Sequence, residues 1–408
     1  MIPITSHPSL VTKYASEFRS LFSKPQFAHF STYITGLIVS TNKTVQGINN
    51  NFIESKDQSN LNLFLNESNW DEQALDNRRI ELIKAQTKKS KAKDSFLVID
   101  DTLSHKTGKK IEQVETFYDH STQKHVLAHQ LVTSLLVTKE KLFPIGFRLY
   151  KRKKENDATF KSKIELAKEL IKYACEKGIN FSCVIFDKWY LASKLIKSLE
   201  ELKKYWIAPL KSNRVVIKQQ KRIPLKEYLE TIPKSLFKAK KIKGKIYYYY
   251  AETVRISRLG KIFIVAYYTT PDFSDDITVL GSNALVWTPD KIIFSFVQRW
   301  NIETFHRDSK QNLGLEDYEL RKLKGIMRHW YLVFLAYTIL QLSSNEKSLT
   351  KWIKSNLNTV GDQCRFATNE TIKYFVLWVL KMYHQLNDEE KVVTLVFDPK
   401  AKLRFSFK

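Results

Sequence analysis

Residues 1–90 repeat apolar positions with the period of a helix. In EFRSLF (17–22) and HFSTYITGLIV (29–39), apolar side chains recur every three or four residues. Two further short helical patterns flank a polar stretch between residues 43 and 67. Such a pair forms either a helix-turn-helix that binds DNA or simply two packed helices. We therefore predict a helical N-terminal region over 1–90, with DNA binding as its role.

A second pattern, typical of strands, follows a basic connector at 86–94. Strands are predicted at 95–102, 129–137, 142–150, 183–187 and 205–210, with helices at about 158–177 and 190–203 between the later strands. The run ALVWT at 284–288 predicts another strand, and a helix begins near Pro289. A long buried helix is expected over about 321–343. It contains WYLVFLAYTIL, which is too short to span a membrane.

The segment between the strand predicted at 205–210 and the ALVWT run is basic and rich in strand patterns. Residues 203–245 carry 14 Lys or Arg and only two acids, and β-rich patterns follow at 246–254 and 261–269. We predict a β-rich insertion over about 211–280 whose basic surface binds phosphates. It interrupts a core that spans 91–345. A helical C-terminal region with a basic tail follows over 346–408.

Composition narrows the possible partners. Hydrophobic residues make up 43% of the chain, which is enough for a large core. The formal charge of +25 favours a polyanionic partner such as nucleic acid, although a generally basic proteome would produce a similar bias. The three cysteines show neither disulfide nor zinc spacing, and we find neither a signal peptide nor a membrane span. Cysteine usage fits a reducing compartment, and we expect no membrane partner.

Acidic residues lie at three matching places in this order of elements. Asp100 and Asp101 end the first strand, Asp187 ends the strand at 183–187, and Glu303 lies on the later helix. Each acid alone is more often a turn or capping residue, but the combination is the layout of a ribonuclease H-like fold. Hydrolysis of a phosphodiester needs an activated oxygen nucleophile and a stabilised leaving oxygen, which two Mg²⁺ ions about 3.5–4 Å apart supply.

The helix around Glu303 has a spacing of its own. Phe296, Arg299, Glu303 and Lys310 are separated by three, four and seven residues, so on one continuous helix they share a face. Such a face can hold a metal-binding Glu between two cations that grip phosphates. The alternative is an ordinary surface ion pair between Arg299 and Glu303.

RWNIETFHRDSKQNLG, which carries Arg299, Glu303 and Lys310, resembles the Tyr-x2-Arg-x3-Glu-x6-Lys signature of prokaryotic insertion-sequence DDE transposases. VIDDT and VIFDKWYLASKLIKSL resemble the two strands that carry the first and second acids of that family. The resemblance implies a DNA transposase that cleaves transposon ends and transfers the strands into target DNA. It also implies a two-metal phosphoryl-transfer mechanism with two Mg²⁺ ions, for which Mn²⁺ can substitute. The expected location is then the cytoplasm of a prokaryotic cell, in association with the nucleoid.

Carried over residue by residue, the resemblance assigns the catalytic and metal-binding acids to Asp101, Asp187 and Glu303. Asp101 is preferred to Asp100 because the family places this acid directly before Thr or a small polar residue. Arg299 and Lys310 match the phosphate-binding cations. Phe296 departs from the usual Tyr: it cannot hydrogen-bond a phosphate, but its ring can stack on a base.

The expected partners are the terminal inverted repeats of a transposon, target DNA and a second copy of the chain on that DNA. Related transposases that form DNA hairpins hold a flipped base on a Trp. We interpret Trp287 as a core residue of the ALVWT strand instead, and expect Trp300 to pack under the site. Two other functions stay open at this point: a ribonuclease H-like resolvase or repair nuclease, and a decayed transposase that only binds DNA.

Overall fold

The structure is a computed structural model, and it describes residues 3–54, 57–154, 158–344 and 359–397. The chain divides into two compact units. Unit 1 comprises Met1–Gln86, Ser104–Thr116 and His306–Lys408, and unit 2 comprises Thr87–Leu103 and Phe117–Phe305. The basic tail predicted at the C-terminus lies outside the described residues.

The helices, in chain order, are α1 (Ser9–Ala15), α2 (Lys24–Val39), α3 (Val45–Asn51), α4 (Gln58–Asn66), α5 (Glu72–Thr87), α6 (Lys163–Glu176), α7 (Ser193–Glu201), α8 (Leu225–Glu230), α9 (Pro289–Val297), α10 (Trp300–Leu313), α11 (Leu323–Ser343), α12 (Val360–Leu386) and α13 (Glu389–Phe397). The strands are β1 (Phe96–His105), β2 (Glu115–Asp119), β3 (Lys124–Val137), β4 (Leu142–Tyr150), β5 (Cys183–Phe186), β6 (Tyr205–Pro209), β7 (Val215–Lys218), β8 (Lys221–Pro224), β9 (Lys238–Ile242), β10 (Lys245–Ile256), β11 (Gly260–Tyr268) and β12 (Thr278–Ser282). Short 3₁₀ helices lie at Ser16–Leu21, Ala92–Asp94 and Lys234–Leu236.

Unit 1 is helical in its described part, and α2 and α11 form its centre. Helix α2 begins with a capping box, in which the Ser23 side chain accepts from the Gln26 amide and the Gln26 side chain accepts from the Ser23 amide. The apolar run in α11 is buried as predicted, and the helix packs against α1, α2, α4 and α12. Tyr33 of α2 and His329 of α11 share a buried hydrogen bond of 2.8 Å.

One arginine ties the N-terminal helices to α11. Arg328 is 1% exposed, and its guanidinium donates to the Glu72 carboxylate at 2.6 Å. It also donates to the main-chain carbonyl oxygens of Phe64, Leu65, Ser68 and Trp70. These carbonyls lie at and beyond the end of α4, where a helix leaves its last oxygens without internal partners. Arg328 therefore supplies the donors that this helix end lacks.

Over its described residues, unit 2 is built on one mixed sheet of twelve strands, so the predicted α/β class is confirmed. The strand order is β2-β3-β1-β5-β6-β12-β11-β10-β7-β8, with β4 paired to β3 and β9 paired to β10. Strands β1, β5 and β6 run parallel, and β3 and β4 form an antiparallel pair. The five strands predicted between residues 95 and 210 all form close to where their apolar runs lie. The parallel strands β1 and β5 are continuous apolar runs because both faces of such a sheet are covered.

The segment between β6 and α9 adds strands to the same sheet. Strands β7 to β11 lie within it, and β12 then pairs with both β11 and β6. The strand predicted at ALVWT (284–288) is wrong, because these residues form a turn and β12 ends just before them. The Trp287 amide bonds to the Ala284 carbonyl, and Val286 is 82% exposed while Ala284 and Trp287 are buried. A short apolar run by itself does not distinguish a strand from a turn that buries two side chains.

Replacing Arg328 by Met is expected to lower the free energy of unfolding by about 3–5 kcal/mol, because Glu72 and four carbonyl oxygens lose their donor. Chemical denaturation followed by tryptophan fluorescence measures this change. Arg365→Met is the matched control: its pair with Asp362 is exposed, so the expected cost is below about 1 kcal/mol. Equal costs for the two variants would contradict the role given to Arg328.

Candidate active site

Two neighbouring aspartates on β1 meet different partners. Successive residues of a strand point to opposite faces, so Asp100 and Asp101 are directed apart. The Asp101 carboxylate accepts from Gln130 at 2.6 Å and Tyr190 at 2.8 Å, and it pairs with the Lys163 ammonium at 2.8 Å. These contacts satisfy both oxygens of Asp101. They also neutralise its charge.

Asp100 is half-buried, and the cation that it contacts is Arg299. Its Oδ2 lies 3.4 Å from Nη1 of Arg299, and its Oδ1 accepts from the Asp101 amide at 2.9 Å. Burial, followed by the negative charges of Asp101 and Asp187, raises the pKa of Asp100 to about 7, against the opposing effect of Arg299. The charged form of Asp100 is therefore disfavoured, first by burial and then by the neighbouring acids.

Asp187 reaches the same edge of the sheet by a different strand. Strand β5 is parallel to β1 with Ile99 opposite Phe186, so Asp100 and Asp187 each follow directly after that pair. The Asp187 carboxylate accepts from the Lys188 amide at 2.7 Å. Its charge contributes to the raised pKa of both Asp100 and Tyr190, although burial is the larger cause in each case.

Glu303 is joined to Asp100 through Arg299. One guanidinium nitrogen of Arg299 lies 2.8 Å from the Glu303 carboxylate, and the other lies 3.4 Å from Asp100. The single helix predicted here is interrupted: α9 ends at Val297, residues 298 and 299 form a turn, and α10 begins at Trp300. Arg299 therefore lies in a turn between the two helices. From this turn it contacts Asp100 as well as Glu303.

The remaining predicted residues take separate places. Phe296 is half-buried on α9, with its ring centroid 6.0 Å from the Arg299 guanidinium. Lys310 belongs to unit 1, where its ammonium lies 3.3 Å from the Glu316 carboxylate. Trp287 is buried beside Tyr205, as its interpretation as a core residue implies. The expectation for Trp300 is wrong, since it is 63% exposed: it opens α10 with its side chain in solvent.

Three side chains that contact Asp101 were not predicted from the sequence. Gln130 lies within β3, Lys163 begins α6, and Tyr190 follows Asp187 by three residues. Only Tyr190 carried a local signal, its closeness to a candidate acid. The ring of Trp189 beside it is 52% exposed, and the Lys163 ammonium lies 5.2 Å from that ring's centroid.

The chemistry of these donors fits a divalent cation. Carboxylate oxygens are the ligands that Mg²⁺ prefers, and a bound cation would offset both the burial and the neighbouring negative charges that raise the pKa of Asp100. Within the described ranges, no three His, Cys, Asp or Glu side chains stand ready to hold a metal together. In this conformation the positive charge between Asp100 and Glu303 is the Arg299 guanidinium.

A continuous part of the chain is similar to a known family of nucleases. Residues 17–230, just over half of the chain, match a family model described as DDE superfamily endonuclease. The matched range contains Asp100, Asp101 and Asp187 and stops before Glu303. Across residues 3–54, 57–154, 158–344 and 359–397, no helix combines the length and apolar character needed to cross a bilayer.

A relative and two solved structures show further similarity. The chain is 28% identical over 219 residues to the "Probable transposase for insertion sequence element IS701" of Microchaete diplosiphon, an alignment that spans 52% of this chain and 57% of that relative. Alignment with the piggyBac transposase synaptic complex with hairpin DNA covers 96% of this chain and 81% of that one, at 11% identity and a TM-score of 0.49. For the Drosophila P element transposase strand transfer complex the coverage is 91% and 87%, the identity 10% and the TM-score 0.24.

Both TM-scores are below 0.5, so neither assigns the fold. The family model, by contrast, matches a continuous half of the chain that includes both strand-borne acids. Together with the transposase relative, it confirms the resemblance to insertion-sequence DDE transposases that the signature around Glu303 indicated. This chain belongs to the DDE superfamily endonuclease family.

Proposed function

We propose that this chain is a DNA transposase that cleaves DNA at transposon ends and joins those ends to target DNA. The observation that carries the proposal is that Arg299 lies between Asp100 and Glu303, while Asp187 is near enough for its charge to raise the pKa of Asp100. These residues come from distant parts of the chain, which an incidental surface ion pair does not require. Membership of an endonuclease family supports the same chemistry.

We also propose that the sheet of unit 2 contains a ribonuclease H-like core. The order β4-β3-β1-β5-β6 supports this, with β5 and β6 parallel to β1 and the antiparallel β3–β4 pair on its other side. The strands from β7 to β11 then form the insertion between second and third acids. In such a core, the carboxyl ends of β1 and β5 present the first two acids at one edge.

The proposed metal ligands are Asp100, Asp187 and Glu303, with Asp100 in place of the Asp101 expected from the sequence. Asp101 already has three polar partners, whereas Asp100 faces Arg299 and the charge of Asp187. Two Mg²⁺ ions bound there, or Mn²⁺ in their place, would activate the attacking oxygen and stabilise the leaving one. Lys163 and Tyr190 hold the Asp101 carboxylate in place. Asp101 is thus proposed to support the part of β1 that carries the ligand Asp100.

The charge of the chain supports DNA as its partner. A formal charge of +25 attracts phosphates without regard to sequence, and the lysines of β9 are exposed on the insertion. We propose that Arg299 and Lys310 contact phosphates and that Phe296 contacts a base. The terminal inverted repeats and the target would both be bound as DNA.

Substitution of the acids tests the metal site. Asp100→Asn, Asp187→Asn and Glu303→Gln are each expected to reduce Mg²⁺-dependent nicking of end DNA to background, because each removes a ligand oxygen charge. DNA affinity should persist, since it comes from the basic surface. Nicking on labelled DNA and a filter-binding assay measure the two properties. In addition, Mg²⁺ should raise the thermal midpoint of the unsubstituted chain but not of the variants.

Asp101→Asn is the matched comparison. As a supporting residue it is expected to lose about 10–100-fold in nicking rate, the usual effect of an outer partner of a metal ligand. Complete loss in Asp101→Asn with activity retained in Asp100→Asn would restore the assignment made from the sequence. Retained nicking in Asp187→Asn or Glu303→Gln would contradict the proposed site itself.

Arg299→Ala tests the cation at the site. It is expected to weaken end binding or strand joining more than it lowers the melting temperature, because the guanidinium contacts the acids and is proposed to contact phosphate. Strand-joining assays and thermal denaturation on the same preparation compare the two effects. A loss of melting temperature as large as that of Arg328→Met would instead assign Arg299 to a structural ion pair.

Assembly provides a separate test. Transposition cuts two ends, and the described part of the chain contains one carboxylate site, so we propose a two-fold dimer on paired ends. Repulsion between chains of charge +25 should keep free protein monomeric or weakly dimeric, and DNA should neutralise that charge. Light scattering with and without end DNA measures the change in mass. A complex with one chain per pair of ends that cuts both would rule out the dimer.

A further inference from the structure

A cavity of about 630 Å³ lies in unit 2 away from the carboxylates. Its walls come from the start of β1, the β3–β4 turn, the β9–β10 turn and helix α9. Phe96 of β1 lines it and precedes Asp100 by four residues, which is about 13 Å along a strand. The cavity is therefore separate from the proposed metal site, and strand β1 runs from one to the other.

Positive charge predominates around the cavity. The ammonium groups of Lys139, Lys243 and Lys291 lie on three different elements, and Asp94 is the one carboxylate among the lining residues. Two of these lysines rest on aromatic rings: Lys291 lies 3.7 Å from the Trp287 centroid, and Lys243 lies 5.0 Å from the Phe294 centroid. An anionic group such as a phosphate matches this arrangement.

The inner wall offers an apolar surface and one unused hydroxyl. Phe294 lines the cavity with 40% of its surface exposed, next to the apolar side chains of Phe96 and Val137. Ser295 also lines it, and its Oγ is fully buried without a hydrogen-bond partner among the described residues. A flat ring with polar edge atoms can stack on Phe294 and hydrogen-bond the Ser295 hydroxyl.

We propose that this cavity binds one nucleotide of a DNA strand, with its base against Phe294 and its phosphate among the three lysines. The volume lies within the range of about 300–1,000 Å³ that small-ligand sites occupy. Gln298 lines the cavity while the next residue, Arg299, pairs with Asp100. A strand held in the cavity would thus contact the turn that carries Arg299. The inference rests on the proposed function because both take DNA as their ligand.

The test measures how the full-length chain binds a labelled oligothymidylate. Phe294→Ala should weaken binding by about 5- to 100-fold, the usual effect of losing a stacked base. Lys243→Gln should reduce the slope of log affinity against log salt by about 0.7, as expected when one phosphate contact to a single strand is lost. Both residues are exposed enough for the variants to fold, which melting curves check.

Two matched controls lie in the inserted segment, outside the cavity. Leu236→Ala removes another exposed apolar side chain, and Lys245→Gln removes another exposed lysine, and neither residue lines the cavity. Both should bind like the unsubstituted chain. Equal affinity in all four variants, or equal losses in variants and controls, would overturn the proposal. Thymidine monophosphate that binds as tightly as the oligonucleotide would also overturn it, by assigning the cavity to a free nucleotide.

Glu303→Gln separates this proposal from the proposed function. It should abolish nicking yet leave oligothymidylate affinity, and the loss caused by Phe294→Ala, unchanged. If the unsubstituted chain fails to nick end DNA while the cavity variants still lose affinity, the proposed function fails and the cavity stands. If nicking occurs and the cavity variants bind normally, the cavity proposal alone fails.

Discussion

Burial and mutual repulsion of neighbouring acids are the constraint on which the candidate site depends. Burial, followed by the charges of Asp101 and Asp187, raises the pKa of Asp100 to about 7. Two cationic side chains offset the negative charge of these acids. Lys163 pairs with Asp101, and Arg299 joins Asp100 to Glu303. Divalent cations are the natural addition to such a site because carboxylate repulsion falls when they bind.

The sheet makes this crowding possible. Residues 96–99 and 183–186 are buried apolar runs in adjacent parallel strands, so their positions are tightly constrained. The acids that follow them lie at one edge as a consequence of register. Strand β12 then joins the inserted strands to β6, so the insertion is hydrogen-bonded into the same sheet that positions the acids. Two sites proposed for DNA, the acids and the cavity beneath α9, share this framework.

The adjacent aspartates of β1 illustrate how one residue step changes a role. Because side chains alternate across a strand, Asp101 meets Gln130, Lys163 and Tyr190, while Asp100 meets Arg299. The Asp101 carboxylate is stabilised by its donors and stays close enough to raise the pKa of Asp100. Although both residues are aspartates, a metal cation would therefore be stabilised more by Asp100 than by Asp101, whose charge is already paired.

The sequence by itself determined the strands and helices of the core, the buried helix α11, the family and the helix that carries Glu303. Apolar periodicity and a linear signature are local properties, so they can be read without coordinates. Only the tertiary structure decided that ALVWT is a turn, that α9 and α10 are separated at 298–299, and which residues surround Asp101. Gln130 and Lys163 come from β3 and α6, and no local pattern relates them to β1. Which face of β1 meets Arg299 depends on how distant elements pack, and the chemistry of the two aspartates follows from that packing.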